Sequence, residues 1–430
     1  MSEFFQANAE VLQARWPALF ERLQQQAGEP FEAELVEGLG STLSISGIQL
    51  TSRHDRVAEA RLQAASLAEG SEVIHLYGVG LGDLPRVLLE RPQLQRLCVF
   101  LLNGALFELV VQLLDHSDWL LDPRVELAFA GDSSEIQLPF FALPSELVLA
   151  DDFNAKIRDR LISESHLAYN NRRFDVADAR LQGLLEASLP LLQQDPDVAS
   201  LFGSAKGRDC YVIATGPSLA RHLPALAAIR ERSERPLLIC VDTAYLPLKR
   251  AGIQPDIVVS VDHAIRIGHL PPEGSQGIAL VYMPMLDVEL LGQWQGPRYS
   301  AYSGSELYAQ VRQQIPRAEL FVGGSVLHPA VDLAVRLGVK RITLFGADFA
   351  FPGGRTHTGW EDGALGPSIS HASHWVLDGH GQRVRTQLNF RGYLIELERF
   401  IARHPEVRFF NTSRDGALIA GTEFDAEFCS

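Results

Sequence analysis

The sequence lacks the cysteine pairs and the long apolar runs of an exported or membrane-spanning protein. The most apolar stretch, Leu97 to Leu114, is interrupted by Asn103 and Glu108, and the amino-terminal MSEFFQANAE carries acid where a secretory signal carries Lys or Arg. We therefore expect neither a membrane span nor a signal peptide. The few cysteines form no C-x-x-C pair and predict buried thiols in a reducing cytoplasm, not disulfides or a zinc site. They are Cys98, Cys210, Cys240 and Cys429.

Basic side chains are also scarce. The 38 Lys and Arg are outnumbered by 53 Asp and Glu, which gives a net charge of −15, and only four of the basic residues are lysines. A field of this sign disfavours general binding to nucleic acid or to an anionic membrane. The sequence contains neither G-x-x-x-x-G-K-[ST] nor G-x-S-x-G. Phosphoryl transfer on a P-loop and the commonest type of serine hydrolase are therefore disfavoured.

The composition that is present, 46% hydrophobic and 21% charged, is that of an ordinary globular protein. Strand-like and helix-like segments alternate along both halves, which predicts α/β architecture. We predict two Rossmann-like domains with mostly parallel sheets, joined by a helical connector. The boundaries are 1–150 for the N-terminal domain, 151–206 for the connector and 207–430 for the second domain.

Polar residues follow several predicted strands of the second half. The strands are DCYVIAT, LLICVD, DIVVSVD, GIALVYM, ELFVGG, RITLFGAD and VRFFN. The carboxyl ends of parallel strands line the ligand crevice of an open sheet, so residues there are site candidates. A single acid in such a place is also a common helix cap. The candidates are Asp242 and Thr243, Ser260 and Asp262, and Gly346 to Asp348.

The sharpest local pattern is a buried strand that ends in the turn Thr215 to Ser218. Gly216 permits a close backbone approach, and Ser218 is expected to cap a helix whose free N–H groups attract phosphate. Gly323 to Ser325 precedes a second predicted helix, with Ser325 as its expected cap and Gly338 as its stop. The two helix starts suit the phosphate and ribose of one nucleotide, and each alone is also typical of an ordinary βα turn.

A loop of mixed chemistry, Phe349 to Trp360, follows Asp348 directly. Its glycines and aromatics suit a loop that closes over a substrate. His357 is the candidate general base, because an unperturbed imidazole has a pKa of ~6.5, and Arg355 is a candidate partner for a substrate carboxylate. The ordinary alternatives are a surface histidine and a solvated arginine. Three histidines that follow match no metal-binding spacing; they are His371, His374 and His380.

The first half contains its own glycine-rich turn, YGVGLGD, with Gly78, Gly80 and Gly82. Such a turn is typical of Rossmann-type phosphate binding. The third glycine of the dinucleotide pattern is mis-spaced, and the second strand ends in Asn103 where a ribose-binding acid is expected. We predict a structural role for this turn.

Four segments of the second half, taken in order, resemble the motility accessory factor family of flagellin glycosyltransferases. They are VIATGPSLARHLPAL, ICVDTAYLPLKRAGIQPDIVVSVD, GGSVLHPAVDLAVRLGVKRITLFGADFAFPGGRTHTGW and FFNTSRDGALIAGT. The likeness covers about Gly207 to Gly421, and the first 140 or so residues look like that family's N-terminal Rossmann-like domain. The core is also similar to bacterial CMP-sialic-acid-dependent sialyltransferases.

The resemblance implies that residues 207–430 form a sialyltransferase-like domain that binds a nucleotide sugar. The implied reaction is transfer of pseudaminic or legionaminic acid from a CMP donor to Ser or Thr of flagellin, in the cytoplasm, as flagellar assembly and motility require. His357 and Asp348 are the implied catalytic residues, with no metal and no obligatory cofactor. Flagellin and the CMP-sugar are the expected partners, and a homo-oligomer is a further expectation. The implied donor-binding residues are Thr215, Gly216, Pro217, Ser218, Asp242, Thr243, Asp262, Gly324 and Ser325.

Two alternatives remain open from the sequence. The same broad group includes enzymes similar to 6-hydroxymethylpterin pyrophosphokinase, which would use Mg²⁺ and a nucleoside triphosphate. The second alternative is that the protein is a non-catalytic chaperone that binds flagellin. Binding of CMP and dependence on Mg²⁺ distinguish the three possibilities.

Overall fold

The chain forms two compact units, Met1–His166 and Leu167–Ser430. The computed structural model describes residues 3–26, 31–133, 135–172, 178–232 and 234–429. The predicted connector, 151–206, contains the helices α8, Ala155–Arg172, and α9, Ala179–Gln194. Helix α8 crosses the division between the units, so the connector segment is shared between them.

The first unit contains a parallel sheet of four strands in the order β6-β5-β4-β7. The chain winds from β4 outward to β6, and then returns to place β7 on the other side of β4. The strands β4 and β5 are almost entirely buried apolar runs, as expected for a parallel sheet covered on both faces. Their bounds are β4 Val73–Tyr77, β5 Arg96–Leu101, β6 Val125–Phe129 and β7 Phe140–Ala142.

A small antiparallel sheet precedes it and was not expected from the sequence. Its strands are β1 Ala33–Val36, β2 Thr42–Ile45 and β3 Ile48–Gln49. The chain reverses between β2 and β3 at Ser46 and Gly47, both with positive φ. The helices of this unit are α1 Glu3–Arg15, α2 Pro17–Gln26, α3 Arg56–Ala65, α4 Asp83–Leu89, α5 Gly104–Leu113, α6 Ser117–Leu120 and α7 Pro144–Val148.

The second unit is built on eight parallel strands in the order β12-β11-β10-β9-β8-β13-β16-β17. This confirms the predicted α/β class with mostly parallel sheets. The chain winds from β8 out to β12 and then returns to the other side of β8 with β13. The strands are β8 Asp209–Ile213, β9 Leu237–Val241, β10 Ile257–Ser260, β11 Ala279–Tyr282, β12 Arg298–Ser300, β13 Arg341–Phe345, β16 Arg408–Asn411 and β17 Glu423–Phe424.

One predicted strand is wrong. The segment ELFVGG forms an isolated bridge between Glu319 and Tyr302 and no strand. Phe321 of this segment packs into an aromatic cluster instead: its ring and that of Phe400 are stacked with centroids 5.3 Å apart. The antiparallel pair β14 His374–Leu377 and β15 Arg383–Thr386 was not expected from the sequence.

Helices cover both faces of the large sheet and bury their apolar stripes against it. Helix α14 ends at Arg336, and Gly338 follows with φ +85°, as predicted for a stop signal. The remaining helices are α10 Leu219–Ala228, α11 Asp242–Arg250, α12 Val288–Gln293, α13 Ala309–Gln314, α14 Leu327–Arg336 and α15 Leu388–Ala402. Short 3-10 turns lie at Ala130–Asp132, Val198–Leu201, Ile229–Glu231, Glu306–Tyr308, Pro352–Gly354 and Ile369–His371.

The cysteines are free thiols, and all but the partly buried Cys429 lie in the core. Burial raises the pKa of the Cys98 thiol to about 11. Among the described residues, no helix is both long and apolar enough to cross a bilayer.

Candidate functional site

The candidate site lies at the carboxyl ends of β8, β9, β10 and β13. The sheet order changes direction between β8 and β13, and an open α/β sheet binds ligands at such a switch point. Because these strands are parallel, the residues that follow them lie along the same edge of the sheet. The predicted residues from Thr215 to Ser218, Asp242, Asp262 and Asp348 are thereby brought to one edge.

The turn after β8 is packed directly against the segment after β13. The Gly216 amide donates to the Gly346 carbonyl at 2.8 Å, and the Ser218 amide donates to Asp348 Oδ2 at 2.8 Å. A Cβ at Gly216 would stand 2.3 Å from Asp348 Oδ2, so only glycine fits there. Pro217 has no N–H, and the Leu219 amide bonds the Gly216 carbonyl. The expectation of free N–H groups at this turn is therefore wrong, because the protein's own carbonyls and carboxylate accept from them.

Ser218 does not cap the helix that follows, contrary to the sequence prediction. Helix α10 begins at Leu219, and the Ser218 hydroxyl makes no capping hydrogen bond. Its backbone is already helical, with φ −66° and ψ −21°, whereas a capping residue is extended. The hydroxyl is buried and lies near the Asp348 carboxylate, whose pKa it helps to lower.

Asp348 is a buried carboxylate held between two glycine-containing segments. Its Oδ1 lies against Gly416, where a Cβ would come within 2.6 Å, and this oxygen has no hydrogen-bond partner. Burial raises the pKa of Asp348, while the Ser218 amide and the nearby hydroxyls of Ser218 and Ser413 lower it. This arrangement indicates that Asp348 holds the turn in place and does not contact a substrate that enters from solvent.

Asp242 occupies the first position of α11, at the end of β9. Only 1% of it is exposed. Its Oδ2 accepts from the Ser260 hydroxyl at 2.9 Å, and its Oδ1 accepts from the Thr243 amide at 2.7 Å. Burial raises the pKa of Asp242 to about 7, the charge of Asp262 adds to the rise, and the two hydrogen bonds oppose it. A carboxyl with this pKa exchanges its proton near neutral pH.

The hydroxyls of Thr215 and Thr243 join the ends of β8 and β9, with their oxygens 2.5 Å apart. Asp262, after β10, is exposed, and its Oδ1 accepts from the Ala264 amide at 2.8 Å. His263 stands beside it, with Nδ1 3.4 Å from Asp262 Oδ1. Sequence reasoning named Ser260 and Asp262 as candidates but missed His263. The position of His263 directly after a predicted strand was the signal that could have found it.

The loop from Phe349 to Trp360 lies against the turn after β8. The Thr358 amide donates to the Thr215 carbonyl at 2.8 Å, and the Thr358 hydroxyl donates to the Gly216 carbonyl at 2.8 Å. The Trp360 indole N–H donates to the Thr243 carbonyl at 2.9 Å. The loop therefore lies at the ends of β8 and β9.

His357 is carried by this loop beside the turn. Its Nδ1 is buried and has no hydrogen-bond partner. Burial lowers the pKa of His357 to about 4, so the unperturbed value assumed from the sequence is wrong. The imidazole is neutral at pH 7, and its low pKa makes it a weak base. Arg355, two residues earlier, is exposed.

The segment Gly323 to Ser325 precedes α14. Gly324 has φ +94°, and the ring of Tyr393 covers it so closely that a Cβ would stand 2.3 Å from Cε1. The predicted cap at Ser325 is wrong, because the N-cap residue of α14 is Val326. The Ser325 hydroxyl accepts from the Leu327 amide at 3.3 Å, and the Ser325 amide donates to Nδ1 of the buried His328 at 3.1 Å. Tyr393 was not predicted, because it comes from α15, far along the chain.

The remaining histidines do not assemble a metal site. His380 lies 3.4 Å from Asp415, which also pairs with Arg221. Within the described ranges, no group of three or more His, Cys, Asp or Glu side chains is placed to hold a metal ion.

The glycine turn of the first unit is filled by a side chain. Glu146, in α7, accepts from the amides of Val79 at 2.6 Å and Gly80 at 2.5 Å. A Cβ at Gly78 would stand 2.9 Å from the Glu146 carboxyl carbon. The carboxylate sits where a phosphate would sit in a nucleotide-binding turn.

Comparison with known proteins gives two similarities. Residues 185–354 match the profile of a family described as 6-hydroxymethylpterin diphosphokinase MptE-like. This confirms the resemblance of the second half to that group. Among solved structures, the chain is similar to a MAf glycosyltransferase from Magnetospirillum magneticum AMB-1, at 15% identity and a TM-score of 0.43, over 99% of this chain and 74% of that one. No curated protein matches the sequence.

Proposed function

We propose that the second unit transfers a nonulosonic acid, pseudaminic or legionaminic acid, from a CMP donor to Ser or Thr of flagellin. The observation that carries the proposal is the meeting of the resembling segments at one sheet edge. The segments with Thr215, Asp242 and Asp348 are far apart in sequence, and hydrogen bonds join them at the switch point. We propose the cytoplasm as the location of this activity.

The donor nucleotide is proposed to lie along the ends of β8, β9 and β10. The hydroxyls of Thr215, Thr243 and Ser218 would face its phosphate and ribose. Asp242 and Asp262 would border the nucleoside, and Gly324 and Ser325 would close the far side beneath Tyr393. Asp348 would hold the Thr215–Ser218 turn in place through the Ser218 amide. No metal and no further cofactor are invoked.

The chemistry requires that CMP depart with the electron pair of the sugar–oxygen bond and that the acceptor hydroxyl lose its proton. His357, next to the donor turn, is the proton acceptor expected from the sequence. Since burial lowers its pKa to about 4, it would act as a neutral imidazole with little proton affinity. Burial raises the pKa of Asp242 to about 7, so its protonation changes near neutral pH.

The proposal is tested by expressing flagellin with and without this protein in cells that make the CMP-activated sugar, and measuring the intact mass of flagellin. An increase by whole nonulosonate residues that depends on this protein is expected. A purified assay with CMP-donor and flagellin, followed by release of CMP, gives the second measurement. Unmodified flagellin in both experiments would contradict the proposal. Flagellin binding without CMP binding at millimolar CMP would favour a chaperone.

A second candidate is supported by the family match over residues 185–354. In that case the same sheet edge would bind ATP and 6-hydroxymethylpterin, and Mg²⁺ would neutralise the phosphates. AMP release from ATP in the presence of the pterin, abolished by EDTA, would establish this function. Sugar transfer from a CMP donor that continues in EDTA would show that this transfer is not the work of a Mg²⁺-dependent pyrophosphokinase.

A further inference from the structure

The proposed transfer needs a base that a protein hydroxyl can reach. A serine or threonine of flagellin approaches from solvent, so the base must stand at an open rim. Asp348 and Asp242 are 2% and 1% exposed, and the Nδ1 of His357 is sealed from solvent. The two carboxylates are therefore closed to a protein hydroxyl, and burial lowers the pKa of His357 to about 4, which makes it a weak base.

The end of β10 carries an accessible pair of another kind. The side chains of Asp262 and His263 are 56% and 38% exposed, and His263 Nδ1 lies 3.4 Å from Asp262 Oδ1. Catalytic hydrogen bonds are often long in a ligand-free structure and shorten in the complex. With Nδ1 directed at the carboxylate, the Nε2 of His263 is the atom left to accept a proton.

The backbone around the pair is braced. Asp262 Oδ1 accepts from the Ala264 amide at 2.8 Å, and the Asp262 carbonyl accepts from the Ile265 amide at 3.1 Å. The guanidinium of Arg266 donates to the His263 carbonyl and lies 4.0 Å from Asp287. These bonds fix the turn that carries both side chains, so the pair is held and not merely adjacent in sequence.

The segment that carries the pair contacts the other parts of the proposed site. The Arg266 amide donates to His269 Nδ1 at 3.1 Å, and the His269 ring lies 5.3 Å from that of Trp360. Trp360 in turn donates to the Thr243 carbonyl at 2.9 Å, at the end of β9, and β9 is paired with β10. The pair after β10 therefore belongs to the same sheet edge as the end of β9 and the loop that carries His357.

We propose that His263, oriented by Asp262, accepts the proton of the acceptor hydroxyl. The O–H bond breaks, with its proton passing to His263 Nε2. The hydroxyl oxygen forms the new bond to the anomeric carbon of the sugar, and the bond from that carbon to the phosphate oxygen breaks, with CMP leaving as the anion. This inference rests on the proposed function.

The test uses the full chain with a CMP-nonulosonate donor and flagellin. His263→Ala is expected to lower kcat at least tenfold, with CMP affinity by calorimetry unchanged, and added imidazole is expected to restore part of the rate. Asp262→Asn is expected to lower kcat also, because the imidazole loses its orienting partner. The exposed His54 of the first unit supplies the matched control, His54→Ala, which should leave kcat unchanged.

Three other outcomes would contradict the inference, and only one of them would also contradict the proposed function. If the unsubstituted protein transfers sugar and His263→Ala transfers it at the same rate, the inference is wrong and the proposed function stands. A loss confined to CMP affinity in both variants would place the pair on the donor and overturn its role as base. Absence of transfer by the unsubstituted protein would overturn the proposed function and this inference with it.

Discussion

The carboxylate of Asp348 accepts a hydrogen bond from the amide of Ser218 at 2.8 Å, across the switch point of the large sheet. The first unit repeats this relationship with Glu146, which accepts from the amides of Val79 and Gly80. In both units the carboxylate follows the strand that returns beside the first one, β13 or β7. A side chain of the protein thus occupies the position that an anion takes at a glycine-containing βα turn.

Substitution of Gly216 tests the packing of this turn. Gly216→Ala is expected to lower the free energy of unfolding by about 1–3 kcal/mol, because its Cβ would meet Asp348 Oδ2 at 2.3 Å and the Gly346 carbonyl oxygen at 2.4 Å. Gly183→Ala is the control, since Gly183 lies in α9 with nothing within 4 Å of the added Cβ. That variant should be unchanged or up to about 1 kcal/mol more stable. Equal effects in urea titrations would refute the packing argument.

Asp348 should matter as a hydrogen-bond acceptor more than as a charge. Asp348→Ala leaves the Ser218 amide without its partner and is expected to cost about 1–3 kcal/mol in urea unfolding. Asp348→Asn keeps an acceptor oxygen and should cost less. Asp209→Ala, at the exposed start of β8, is the control and should fall within about 0.5 kcal/mol of the wild type. An Asn variant as unstable as the Ala variant would show that the charge itself is required.

The glycine turn of the first unit should be structural. Glu146→Ala leaves the amides of Val79 and Gly80 unpaired and is expected to destabilise the protein by about 1–3 kcal/mol. CMP affinity, measured by calorimetry, should not change. The exposed Glu72 supplies the control Glu72→Ala. Loss of CMP affinity on substitution of Glu146, with folding intact, would assign the nucleotide to the first unit instead.

His357→Ala separates the base expected from the sequence from the base inferred above. With His263 as the base, the variant should preserve folding and CMP binding and lower sugar transfer by less than the roughly tenfold expected of a lost base. The reason is that burial lowers the pKa of His357 to about 4, which makes its imidazole a weak base. Transfer is measured as CMP release with flagellin present, beside the His54→Ala control. A loss of about tenfold or more would assign the base to His357 and not to His263.

The raised pKa of Asp242 predicts that the free energy of unfolding depends on pH. Its pKa is about 7 in the folded protein and 3.8 in the unfolded chain, so the folded state retains a proton that the unfolded state loses. The stabilising contribution of Asp242 to the free energy of unfolding is therefore present below about pH 4 and is lost as the pH rises to 7. His116 acts in the opposite direction, since burial lowers its pKa to about 4 and its contribution is lost as the pH falls from 6.5.

The two effects are separated by a difference measurement. The free energy of unfolding of the wild type minus that of Asp242→Asn should fall between pH 5 and pH 8, while the contribution of His116 cancels. A difference independent of pH would show that Asp242 is ionised throughout this range in the folded protein.

The parallel strands were predictable because strands buried on both faces are near-continuous apolar runs. Such runs identified β8, β9 and β13, together with the turn at Thr215 to Ser218. The strands β1 to β3 gave no such signal. They were missed because most of their residues are exposed or half-buried and form no continuous apolar run. The segment ELFVGG was wrongly predicted to be a strand, because an apolar run is also typical of a segment that packs into an aromatic cluster.

The sequence by itself determined the α/β class, the order of the segments and the polar residues that follow each strand. These depend on local periodicity and on neighbours in the chain. Only the tertiary structure decided that Asp348, 130 residues beyond Ser218, accepts a hydrogen bond from the Ser218 amide, which was expected to bind phosphate. Only the tertiary structure, too, decided that burial raises the pKa of Asp242 and lowers that of His357. Hydrogen-bond partners and desolvation come from residues distant in the chain, and no local pattern contains them.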